Sequence, residues 1–123
     1  MVPRSTLAIG LDPKLQGRLS RLAAGRSLVI DFFATRCCSS VLVGDLTVRW
    51  TDEPPQAQLV ELAPIEGVSI AAEPSIVELL ETAGPTLRLA GLPFARHLAL
   101  ELDDPAAWID FLATPPAFRR RKR

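Results

Sequence analysis

The sequence has no tyrosine, one histidine, one methionine and two cysteines. Two cysteines exclude a disulfide framework and a four-thiolate zinc site within one chain. The missing tyrosine, with no basic stripe in the body of the chain, speaks against a base-stacking surface, so no nucleic-acid partner is expected for the domain. No apolar run approaches the roughly 18 residues of a membrane span. No apolar stretch of signal-peptide length follows Met1-Val2-Pro3-Arg4-Ser5. The expectation is a cytoplasmic protein without a membrane partner. Gly-x-Gly-x-x-Gly, phosphate-loop and Gly-x-Ser-x-Gly signatures are absent, and no internal repeat stands out. Asparagine is absent too, and arginine far outnumbers lysine among 11 prolines. That bias fits heat adaptation and GC-rich codon usage equally well.

What is present points to one ordinary globular unit. The chain has 123 residues, 48% apolar and 23% charged, enough for one compact domain and too few for two. The net charge of zero hides an asymmetry. Arg119 to Arg123 hold five of 14 basic residues, leaving nine against 14 acidic ones, a net of −5 for the rest. The reading is a single domain over 1–118 and a basic disordered tail over 119–123.

The hydrophobic pattern suggests a small α+β domain of many short strands with an N-terminal helix, a mid-chain helix and a C-terminal helix. Leu7-Ala8-Ile9-Gly10 is an apolar lead-in. Asp12 as N-cap, Pro13 at the first helical position, Leu15, Leu19 and Leu22 on one face and Gly25 as a stop predict the first helix. Ser27 to Thr35 reads as a largely buried strand. A second strand is expected over Val41-Leu42-Val43 or from Asp45 to Trp50, with Gly44 as a bulge. Thr51 to Gln58 is a loop, Leu59 to Leu62 a further strand, Ile65-Glu66-Gly67 a turn and Val68 to Ala72 a strand. Pro74 starts a helix with Ile76, Leu79 and Leu80 facing inward, ended by Gly84-Pro85. Thr86 to Leu92 and Ala95 to Leu102 alternate as strands. Asp104-Pro105 starts the last helix, with Trp108, Ile109, Phe111 and Leu112 inward, and Pro115-Pro116 ends it.

Few residues can carry chemistry. His97 stands in a strand-like stretch far in sequence from the cysteines, and reads as structural or exposed. Asp103-Asp104 reads as a helix start, and Asp52-Glu53 as loop charge. That leaves Cys37-Cys38, adjacent, just after a buried strand and followed by Ser39-Ser40. Loops held by rigid strands are where functional groups concentrate. A disulfide prefers Cα atoms about 4.4–6.8 Å apart, whereas neighbours across a trans peptide are fixed at about 3.8 Å. A Cys37–Cys38 bond therefore closes a strained eight-membered ring that is easily reduced, a switch rather than a staple. Reduced, the pair presents two soft thiolates suited to a soft metal ion or an iron–sulfur cluster. Arg36 favours a thiolate, and the Ser39 and Ser40 hydroxyls can hydrogen-bond it. The competing reading is two small buried hydrophobes.

The order of features resembles the HesB/IscA-like group, the A-type iron–sulfur carriers and their relatives. It runs through Leu28-Val29-Ile30-Asp31-Phe32-Phe33, the Cys37-Cys38-Ser39-Ser40 segment, Thr51-Asp52-Glu53-Pro54, Ile65 to Ala72, Glu73-Pro74-Ser75 and a short helix ending at Leu79-Leu80. The resemblance covers Leu7 to Leu102 and is greatest to the small HesB-like proteins with a Cys-Cys motif, in some of which selenocysteine takes one of the two positions. It implies that Cys37 or Cys38 matches the first cysteine of the carriers and Ser39 the serine after it. The carriers' C-terminal Cys-Gly-Cys has no counterpart here. The family's use of selenocysteine implies redox chemistry, since selenium adds nucleophilicity and nothing to packing.

Three readings follow. In the first, the chain is a thiol-redox protein in which Cys37 and Cys38 are the reacting pair, supported by Arg36, Ser39 and Ser40, and its partner is another redox or iron–sulfur protein. In the second, Cys37 and Cys38 are metal ligands of an iron–sulfur or metal delivery protein that pools thiolates across a homodimer. In the third, the chain is a non-catalytic interaction protein with Arg119–Arg123 as its contact. The residues do not by themselves make it an enzyme.

Overall fold

Alternating apolar side chains and two proline-led helices account for most of the architecture. The computed structural model describes residues 4–37, 41–53, 58–91 and 96–113. Among these the chain is α+β, with seven strands in two sheets and three helices. The elements are β1 (Gly10–Leu11), α1 (Leu19–Ala23), β2 (Ser27–Cys37), β3 (Val41–Thr51), β4 (Val60–Glu61), β5 (Ile70–Ala72), α2 (Pro74–Ala83), β6 (Pro85–Ala90), β7 (His97–Leu102) and α3 (Pro105–Ala113). One sheet has the order β3-β2-β5-β4 and the other β1-β6-β7. The core lies between them. Leu28 and Ile30 of β2, Ile70 and Ala72 of β5, Leu87 of β6 and Leu98 of β7 join Leu15, Leu19, Ile76 and Leu80 in one buried cluster. None of the described helices is long and apolar enough to cross a membrane.

The first helix is far shorter than its leucine spacing predicts. Residues 13–18 form successive turns, with Leu15 N–H on Asp12 O and Arg18 N–H on Leu15 O. Asp12 Oδ1 accepts from Lys14 N–H at 2.9 Å, a turn rather than a helical cap. Gly17 sits at φ +78, a left-handed conformation that no continuous α-helix contains. The helical turn after it is started from outside: Glu66 accepts Gly17 N–H at 2.7 Å and Leu19 N–H at 3.3 Å. Glu66 (φ 51) and Gly67 (φ 79) form the two-residue turn of a hairpin between Ile65 and Val68, whose backbones exchange hydrogen bonds. Leu15 and Leu19 are buried as the spacing suggests, while Leu22 is exposed. Because Glu66 does the work of an N-cap across 47 residues of sequence, Glu66→Ala is expected to cost about 0.5–1 kcal/mol, the value of a lost cap at an exposed site. The check is the urea midpoint. An unchanged midpoint contradicts the assignment of Glu66 as the cap.

Two further expectations change. Val41 to Thr51 is one strand, paired residue for residue with β2 from Ser27↔Thr51 to Cys37↔Val41, so there is no bulge at Gly44. Gly44 faces Ala34, where a Cβ would lie 2.8 Å from Ala34 Cα and closer still to Phe33 O. The glycine allows close approach of two backbones instead of an extra residue. In α3, Trp108 is half-buried, Phe111 buried and Leu112 half-buried, but Ile109 is 66% exposed. At 100° per residue Ile109 stands on the side of the helix opposite Phe111. The mid-chain helix matches its sequence signals. Glu73 caps it by accepting Ser75 N–H at 2.8 Å, Pro74 opens it, and Ile76, Leu79, Leu80 and Ala83 are buried. Residues 114–123, with Pro115-Pro116 and the basic Arg119–Arg123 segment, lie outside the described residues.

Candidate functional site

The cysteine pair belongs to the far end of a long ribbon. Only the first part of β2 lies inside its sheet, where Leu28, Val29 and Ile30 pair with both β3 and β5. From Asp31 onward β2 pairs with β3 alone for seven residues. At about 3.3 Å per residue this carries Cys37 roughly 23 Å beyond Ile30. Cys37 is not on a loop, as the sequence suggests, but is the last residue of β2, its backbone paired with Val41. Three residues, Cys38, Ser39 and Ser40, join the strands and lie outside the described residues, as do the side chains of Arg36 and Cys37.

The ribbon is held from one side by α3. Trp108 Nε1 donates to Gly44 O at 3.3 Å, joining residues 64 apart in sequence. Phe32 meets the edges of two stacked rings, Trp108 at 6.0 Å and Phe111 at 5.4 Å between centroids, while Trp108 and Phe111 lie 5.4 Å apart at 14°. Such contacts add about 0.5–1.5 kcal/mol each beyond area burial. They grip the ribbon at Phe32 and Gly44, leaving Thr35↔Val43, Arg36↔Leu42 and Cys37↔Val41 as the pairs beyond the grip. The hydrogen bond from Trp108 was not legible in the sequence. Its only signal is that a half-buried tryptophan needs a partner for its N–H. Trp108→Phe keeps the stacking and removes the donor. It is expected to cost about 0.5–1 kcal/mol and to speed native-state hydrogen exchange at Thr35 and Val43. Unaltered exchange at those amides contradicts the role given to Trp108.

The open edges of the ribbon are guarded. Leu28 N–H donates to Ser69 O and Ile30 O accepts from Glu73 N–H, so these residues turn their backbone groups away from β3. Phe32, two further on, turns its N–H the same way, past the end of β5, and Asp31 Oδ1 takes it at 2.8 Å. Leu46, opposite Phe32, is served alike by Asp45 Oδ1 at 3.0 Å. An acidic side chain on each edge discourages strand addition there.

A cluster of the kind that the family resemblance implies does not fit one chain. Iron–sulfur clusters take about four thiolates, and the sequence supplies two. Among the described residues no three His, Cys, Asp or Glu side chains group as a metal site. His97 is exposed at the start of β7, its backbone paired with Ala90. Asp103 and Asp104 precede α3: their N–H groups donate to Gly84 O and Ala83 O, and Asp104 O accepts Ala107 N–H. In comparison with known proteins, no family model, no curated protein and no solved structure matches the chain.

Proposed function

We propose that the chain is a thiol-redox protein on a HesB/IscA-like scaffold, with Cys37 and Cys38 as a vicinal dithiol that cycles with its disulfide. What supports the reading is the backbone pairing of Cys37 with Val41 at the end of an 11-pair ladder. One cysteine sits on the last paired position of a ribbon that extends beyond its sheet, and its neighbour begins the link between strands. Near that end Phe33, Ala34 and Thr35 are exposed, so the ribbon leads away from the core rather than into it.

The chemistry balances with a disulfide as co-reactant. One thiolate of the pair attacks a sulfur of the partner disulfide, a mixed disulfide forms and one partner thiolate leaves. The neighbouring thiolate then attacks the mixed disulfide and expels the second partner thiol. Two electrons pass to the partner, which ends as two thiols, and the Cys37–Cys38 bond forms. The strain of the eight-membered ring favours the reverse direction, so the reduced pair is the resting form in a reducing compartment. Arg36 is assigned to favour the thiolate, with the Ser39 and Ser40 hydroxyls as its hydrogen-bond donors.

The test is equilibration of the intact protein in graded mixtures of reduced and oxidised glutathione, followed by alkylation and intact-mass measurement. Both thiols are expected to disappear together and reversibly in a monomer. Thiols that resist oxidation across the series, or that oxidise only into interchain dimers, overturn the proposal.

A further inference from the structure

A second feature lies at the other end of the ribbon, on the face of the four-stranded sheet that turns away from the core. Strand alternation puts Arg49 and Thr51 of β3, Ser27 and Val29 of β2, and Ser69 and Ala71 on that face. Register makes two rows of them. Arg49, Val29 and Ala71 are direct neighbours across three strands, and Thr51 stands opposite Ser27. Together with Glu53 and Leu59 they line an open-mouthed cavity of ≈ 100 Å³, smaller than a drug-sized site and with room only for a ligand of a few non-hydrogen atoms.

Its floor is unusual for an outward face. Val29 is 3% and Ala71 5% exposed, yet neither belongs to the core cluster. At one end of the first row, Glu61 pairs with Ala71 in register and has Arg4 3.6 Å away as its ion partner. At the other end stands Arg49, exposed, which makes no ion pair among the described residues. A charged residue on an edge strand also serves to discourage strand addition. That accounts for a basic residue on β3, but not for a desolvated apolar floor and hydroxyls beside it.

The geometry points to a binding site for a small monocarboxylate with a short apolar body, its carboxylate on Arg49 and its carbons on Val29, Ala71 and Leu59. A guanidinium offers two parallel N–H donors that match a carboxylate, and the hydroxyls of Ser27, Thr51 and Ser69 are further donors along the rim. Neighbouring strands are about 4.8 Å apart, so Arg49 and Ala71 stand about 10 Å apart across the trough. That span suits a headgroup and a few carbons. A single guanidinium with the Glu53 carboxylate on the same rim favours a monoanion over phosphate. The site owes nothing to the cysteines, and stands or falls apart from their chemistry.

The experiment is a titration of the ¹⁵N-labelled full chain with butyrate, acetate and inorganic phosphate, read by amide shifts. Butyrate is expected to give saturable shifts at Val29, Arg49, Ser69 and Ala71, with acetate weaker for lack of a body to cover the floor. Arg49→Gln is expected to weaken butyrate about tenfold or more, the loss of one charge-assisted bidentate contact. Ser69→Leu, which fills the trough and leaves Arg49 in place, is expected to do the same. Both altered residues are exposed, so the fold tolerates the changes. Shifts that do not saturate, equal binding by Arg49→Gln, or phosphate binding better than butyrate each overturn the assignment.

Discussion

Serine at position 37 or at position 38 is expected to abolish the two-electron couple entirely, because the remaining thiol has no neighbour to complete the exchange. The two variants are expected to differ in what they retain. Whichever residue attacks first leaves, when its neighbour is Ser, a protein that accumulates the mixed disulfide with glutathione. The variant lacking the attacking thiol stays reduced under the same conditions. The measurement is intact mass after equilibration with oxidised glutathione. It assigns the two roles, which the adjacency of the residues cannot do. Stability is expected to change little in either variant, since Cys37 ends β2 some 23 Å beyond Ile30 along the strand. A loss of several kcal/mol in both would favour packing as the purpose of the cysteines. Equal redox titrations in the wild type and both variants would remove the redox reading.

Gly44→Val is the substitution expected to damage the ribbon most. Its first carbon already meets the backbone of Phe33 and Ala34 across the ladder, with Ala34 Cα at 2.8 Å. These neighbours are backbone atoms, which cannot rotate aside, so the two strands must separate. The shift also moves Gly44 O, which accepts the Trp108 N–H. Overpacking and a lost hydrogen bond together are expected to cost about 2–4 kcal/mol. Urea unfolding reads the loss, and reactivity of the cysteines toward a thiol reagent reads the displaced tip. Wild-type stability in Gly44→Val contradicts the close approach of the strands.

The parts of the fold legible in the sequence are those decided locally. Pro74, the buried spacing of Ile76, Leu79 and Leu80, and Gly84 specify α2 without help from elsewhere. The apolar run at Leu28 to Ile30 is a central strand, paired on both sides, with Leu28 and Ile30 in the core and Val29 buried on the opposite face, where it floors the cavity. The parts that were not legible depend on residues distant in sequence. Leucine spacing marks Leu15 and Leu19 as buried but misplaces the exposed Leu22 and does not tell what is helical, since Gly17 breaks the run and Glu66 restarts it. No local signal tells that Gly44 meets Ala34 without a bulge, or that Trp108 reaches Gly44. At the candidate site, the identity of the pair follows from the sequence, because adjacent cysteines are the only two in the chain. Its position at the end of a ribbon does not, because only the tertiary pairing reveals that β5 stops at Ala72 while β2 and β3 continue. The trough was hidden for a related reason. Val29 and Ala71 lie in short apolar runs whose second face the alternation of polar residues does not mark.

The central claim is that Cys37 and Cys38 are a redox pair and not cluster ligands. The most direct measurement is purification without oxygen, followed by a count of free thiols, iron and acid-labile sulfide per chain. The account predicts two free thiols per chain and no stoichiometric iron, with both thiols lost on mild oxidation while the protein stays monomeric. Stoichiometric iron with labile sulfide, lost in Cys37→Ser or Cys38→Ser, would contradict it and give the pair to a cluster shared between chains.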